Sequence, residues 1–99
     1  MATRSKRSTG NVFLDIGFPP HEAQNLRVRA DLTIELIRIV RSRKLTKATA
    51  SRLFGVSQPR VSDLMTSKID RFSIDALVEM LSRAGRRVEI ATKPSRRVA

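Results

Sequence analysis

Residues 45–64, LTKATASRLFGVSQPRVSDL, hold the pattern that decides how this chain folds. Thr46 offers a side-chain oxygen to cap a short helix over Lys47 to Phe54, and Gly55 supplies a residue able to take a positive φ where that helix stops. Two residues on, Ser57 caps another helix beginning at Gln58. Pro59 falls in its first turn, where a missing N–H costs nothing because that donor has no intrahelical partner. This helix is expected to run to about Met65. Ala50 is small enough to let the two helices approach, Val56 plugs the turn, and Leu53, Val61 and Leu64 share an apolar face. Gln58, Pro59, Arg60, Ser62 and Asp63 are left on the outer side of the second helix.

The flanks supply the rest of a core. From about Glu22 to Arg43, Leu32, Leu36, Ile39 and Val40 recur at three- and four-residue steps, while Arg27, Arg38, Arg41 and Arg43 fall largely outside that stripe, so a long amphipathic helix is expected. Ser73 can cap a further helix, Ile74 to Ala84, with Leu77, Val78, Met80 and Leu81 as its apolar set and Gly85 as its stop. In RVEIAT, residues 87–92, the period changes to two: Val88 and Ile90 alternate with Arg87, Glu89 and Ala91, as in a half-buried strand. A lone strand leaves its backbone groups unpaired. Val88, Glu89, Ile90 and Ala91 are therefore expected to pair with the same strand of a second copy, or with Val12 to Ile16 of their own chain.

In NVFLDIGFPP, residues 11–20, Val12, Phe13, Leu14, Ile16 and Phe18 are crowded ahead of a double proline. Such a cluster is buried against its own helical core or against a partner protein. Residues 1–10 and 93–99 are basic and poor in apolar groups, a composition that reads as a flexible arm and a flexible tail around one domain, 11–92. The expected fold is thus mainly α: a four- to five-helix domain with one short C-terminal β-strand and flexible basic termini.

At 99 residues the chain has room for one ordinary domain. Twenty Lys and Arg against nine Asp and Glu give a net charge of +11, which favours a polyanionic partner. The absence of cysteine removes disulfides, thiolate metal sites and a cysteine nucleophile, and suits a reducing cytoplasm. No apolar run approaches the roughly 18 residues of a spanning helix, and the basic opening leads into polar residues rather than an apolar signal core, so neither membrane insertion nor secretion is expected. His21, the single histidine, has no second ligand near it in sequence. No nucleophile or acid–base pattern is present, so neither an enzyme, a metal site nor a cofactor is expected. The four Phe lie in apolar contexts and there is no Trp or Tyr, which argues against a stacking platform for single strands.

Two short helices joined by a glycine turn, on a strongly basic chain, meet the requirements of a DNA-reading helix-turn-helix. Gln, Arg and Asp on its second helix suit base edges or phosphates. The segment resembles the helix-turn-helix of the XRE (phage repressor-like) family, through Leu45, Thr46, Leu53, Gly55, Val56, Ser57, Val61, Ser62 and Leu64. Lys47 departs from the Gln usual there, replacing a directional amide on a phosphate by a point charge, and Ser51 replaces a small Ala. By this resemblance Gln58, Pro59 and Asp63 would face the major groove, while Lys47, Ser57, Arg60 and Lys68 would anchor phosphates. Arg60 could instead read a guanine, and Asp63 could accept from a cytosine amino group or repel a wrong sequence.

The flanks NVFLDIGF and GRRVEIATKP are similar to a branch of that family containing HigA-type antitoxins, so that the resemblance covers about residues 10 to 94. It implies a homodimer on double-stranded DNA that represses from a palindromic operator and neutralises a RelE-like toxin, with Val12 to Phe18 or the neighbouring helix covering that partner. Two other readings remain open: a stand-alone regulator of the same family without a toxin, and a non-specific nucleic-acid binder acting through charge alone.

Overall fold

Asn11 begins the architecture. In the computed structural model, which describes residues 10–94, its Oδ1 accepts from the N–H groups of Phe13 (2.9 Å) and Leu14 (3.2 Å), so the apolar segment opens as a four-residue helix, α1 (Val12–Asp15). The Asn11 amide donates to the Ala23 carbonyl at 3.1 Å and pins α1 to the next helix. Phe13 and Phe18 meet edge to face, with ring centroids 6.2 Å apart.

The double proline then starts a helix instead of interrupting one. Helix α2 (Pro20–Ser42) begins two residues earlier than periodicity suggests, because Pro20 occupies a first-turn position that needs no donor. Its 23 residues span about 35 Å, most of the 46 Å long axis of the molecule. Thr33, Leu36, Ile39 and Val40, the buried residues of its second half, belong to the part that packs beneath the other helices, whereas Ala23 lies under α1. Helices α3 (Lys47–Phe54) and α4 (Gln58–Met65), a 3-10 turn (Ile69–Arg71) and α5 (Ile74–Arg83) complete the order. One core joins α2 through Leu36, Ile39 and Val40, α3 through Ala50 and Phe54, α4 through Val61 and Leu64, and α5 through Leu77, Met80, Leu81 and Ala84, with Phe72 between them.

The helix ends share one closing device. Lys44 and Ser67 take left-handed backbone (φ 52° and 59°), and in each case the next N–H returns to the carbonyl five residues back: Leu45 to Val40 (2.9 Å) and Lys68 to Asp63 (3.0 Å). Helix α5 closes alike at Gly85, with the Arg86 N–H on the Leu81 carbonyl at 2.9 Å. Arg43 adds a bond to the Ala84 carbonyl (3.2 Å), tying the ends of α2 and α5 together.

The C-terminal strand expected at Val88, Glu89, Ile90 and Ala91 is not present: among the described residues there is no β-strand, and 86–94 have no regular secondary structure. The physical reason is that the described residues offer no edge to pair with. Val12 to Ile16, the expected partner in the same chain, is helical from Val12 to Asp15, with the Ile16 N–H bonded back to the Val12 carbonyl, so its backbone bonds are spent internally. The segment is held by side chains instead. Arg86 pairs with Glu35 on α2 at 2.8 Å and Val88 packs on the core, while Ile90 is 81% exposed. The apolar N-terminal cluster also resolves differently from a simple choice between core and partner: Phe13 and Leu14 are half-buried, but Val12, Ile16 and Phe18 remain exposed. The expected flexible arm and tail fall almost wholly on residues 1–9 and 95–99, outside the described residues.

Candidate nucleic-acid interface

Helix α3 is started by a reciprocal box. The Thr46 Oγ1 accepts from the Thr49 N–H (3.1 Å), and the Thr49 Oγ1 accepts from the Thr46 N–H (2.8 Å), so two donors at the helix entrance are satisfied at once. Fully buried Ala50 lets α4 come close. The turn is made by Gly55 at φ 73°, and the Arg83 side chain from α5 lies over it: a Cβ at Gly55 would meet Arg83 Nε at 2.9 Å. The Ser51 hydroxyl donates to the Val56 carbonyl across the turn, so the residue that stands in place of a small Ala fastens the joint as well as filling it.

Helix α4 is capped by Ser57, whose Oγ accepts from the Arg60 N–H at 3.4 Å, with Pro59 in the first turn. Val61 and Leu64 point into the core. Gln58 and Pro59 are exposed and Ser62 and Asp63 half-buried; together with Lys47 from the start of α3 they line one shallow cleft. The helix period that buries Val61 and Leu64 turns Gln58, Pro59 and Ser62 outward on neighbouring turns, where base edges or phosphates can approach.

The other expected residues lie on the flank of that face. Ser57 is exposed at the helix entrance. Arg60 is half-buried, with its guanidinium carbon 4.4 Å from the centroid of the buried Phe72 ring. Asp63 is turned into an ionic cluster: its Oδ1 accepts from Arg71 Nη1 at 3.3 Å and stands 3.9 Å from Lys68 Nζ, leaving its side chain 17% exposed. Thr66 closes the helix by donating to the Ser62 and Asp63 carbonyls (2.9 and 3.2 Å).

Sequence reasoning did not single out Arg71 or Phe72. Both sit beyond α4, in a stretch whose composition says only that it is a polar connection. Their neighbours on α4 are eight and twelve positions away, and the left-handed Ser67 that folds the chain back carries no glycine to announce it. Among the described residues there is no group of three or more His, Cys, Asp or Glu able to hold a metal ion, His21 is exposed at the start of α2, and no helix is long and apolar enough to cross a membrane.

A family model for a helix-turn-helix domain matches residues 12–93. Among solved structures, one described as an XRE family transcriptional regulator is similar at a TM-score of 0.69 and 27% identity, over 79% of this chain and 88% of that one. No curated protein matches the chain in sequence.

Proposed function

The chain belongs to the helix-turn-helix domain family, a DNA-binding transcriptional regulator fold, and from that premise we propose that it is a sequence-specific repressor acting as a homodimer on a palindromic operator. The observation that carries the reading is the shared cleft of Lys47, Gln58, Pro59, Ser62 and Asp63, which joins a cation on α3 to the outer face of α4. Gln58 is suited to a bidentate contact with adenine, and Lys47, Ser57, Arg60 and Lys68 to phosphates. A face of this size reads only a few base pairs. A second copy reads the other half-site about 34 Å away. We assign the copy-to-copy contact to Val88, Glu89, Ile90 and Ala91, since the exposed Ile90 leaves an apolar side chain there for a second copy to cover. Its place of action is the cytoplasm.

The exposed Val12, Ile16 and Phe18 favour a further role as the antitoxin of a RelE-like toxin. In that role the α1 segment, with Phe13 and Leu14 at its base, covers the toxin. A stand-alone regulator would share everything but this contact. Footprinting of the DNA upstream of the gene tests the operator reading through a protected palindrome. A neighbouring gene for a small basic RelE-like protein, and co-purification of its product, tests the antitoxin role.

A further inference from the structure

The loop after α4 gives the acidic residue of the reading helix a task different from reading. The Asp63 carboxylate is largely shielded, while the two cations that meet it, Lys68 and Arg71, are about half exposed (48% and 53%). The backbone fixes this arrangement. Ser67 reverses the chain at φ 59°, the Lys68 N–H returns to the Asp63 carbonyl at 3.0 Å, the Arg71 N–H bonds the Lys68 carbonyl at 3.0 Å, and Phe72 seals the turn into the core at 2% exposure. Asp63 also lines the cleft with Gln58, Pro59 and Ser62, so the pair of cations borders the surface that would meet DNA.

We propose that Arg71 contacts a DNA phosphate and that Asp63 is the positioning residue that holds Arg71, with Lys68, at the edge of the reading face; this deepens the DNA-binding reading above and rests on it. A guanidinium has five N–H donors in a planar fork, and the bond to Asp63 uses one of them, which leaves others for a phosphate oxygen. The carboxylate is one negative charge against two positive ones, so the cluster remains attractive to a polyanion. With cations on its Oδ1, Asp63 is less disposed to accept from a cytosine amino group. An exposed ion pair contributes little to folding, so the cost of ordering these side chains is better repaid by a bound phosphate than by stability.

The test is the salt dependence of binding by the full chain to two duplexes, one random in sequence and one taken from the DNA upstream of its gene. Arg71→Ala should lower the slope of log K against log salt by about one on both. Asp63→Asn should lower it in the same direction, although it removes a negative charge; Asp63→Glu should recover it, and the double variant should be no weaker than Arg71→Ala alone. An unchanged slope for Arg71→Ala overturns the phosphate contact. Tighter binding by Asp63→Asn on both duplexes overturns the positioning role, showing a carboxylate that only repels DNA, and a loss confined to the upstream duplex overturns it in favour of base reading. Thermal unfolding identifies a variant that fails to fold; should Asp63→Asn do so, Asp63→Glu and Lys68→Ala carry the comparison. A wild-type chain that binds neither duplex contradicts the DNA-binding reading itself, a result distinct from all of these.

Discussion

The guanidinium of Arg60 rests on the ring of Phe72, 4.4 Å from its centroid, so a cation on α4 is held by an aromatic residue that also belongs to the core. A cation–π contact of this kind is worth about 0.5 to 1 kcal/mol at a partly exposed site. Phe72→Leu keeps an apolar side chain in the core and should cost on the order of 1 to 2 kcal/mol of stability. It should also weaken duplex binding in the same direction as Arg60→Ala. Denaturant unfolding and fluorescence anisotropy measure the two effects separately; a less stable Phe72→Leu chain that binds DNA like the wild type would show that the ring does not position Arg60.

The turn between α3 and α4 makes a second demand. Gly55→Ala places a methyl group on left-handed backbone, at a cost of roughly 1 to 2 kcal/mol, and directs it at Arg83. For a domain of this size that corresponds to a fall in Tm of several degrees. Adding Arg83→Ala should return only the part due to the clash, and full recovery in the double variant would mean that backbone strain at Gly55 is unimportant.

Ser51→Ala tests the fastening of the same turn. The hydroxyl bonds the Val56 carbonyl, so its loss should destabilise by about 1 kcal/mol in urea unfolding, the ordinary net value of such a bond. Unchanged stability would mean that Ser51 does no more than an Ala at this place.

The proposed contact between copies is tested at Ile90, which is exposed and outside the core. Ile90→Asp should leave the unfolding temperature of the single domain nearly unchanged. Sedimentation should show a shift toward monomer, with operator affinity falling by more than affinity for an isolated half-site. A dimer of unaltered strength would move the interface elsewhere.

The helices around the turn could be read from the chain because their signals are local. Thr46, Ser57 and Ser73 precede apolar periodicity as caps, and Gly55 and Gly85 mark stops. The alternation at Val88 and Ile90 was equally local but misleading, since a strand is a property of two segments and no second one lies among the described residues. The outer face of α4 followed from Val61 and Leu64 pointing inward. What surrounds it did not: Arg71 on Asp63 and Phe72 under Arg60 follow a reversal at Ser67, which takes left-handed backbone at a residue that gives no such warning. Charge composition favours a polyanionic partner, and the fold brings Lys47, Gln58, Pro59 and Ser62, four of the residues expected to meet DNA, together along one cleft.

Helix α4 is proposed to read sequence. Affinity for the duplex upstream of the gene, measured against a random duplex of equal length at one fixed salt concentration, tests it most directly, with Gln58→Ala run alongside. A preference of at least about a thousandfold for the upstream duplex is expected, as specific regulators show, with a marked reduction of that preference in Gln58→Ala. Equal affinity for the two duplexes would contradict it and leave a protein held to DNA by charge alone.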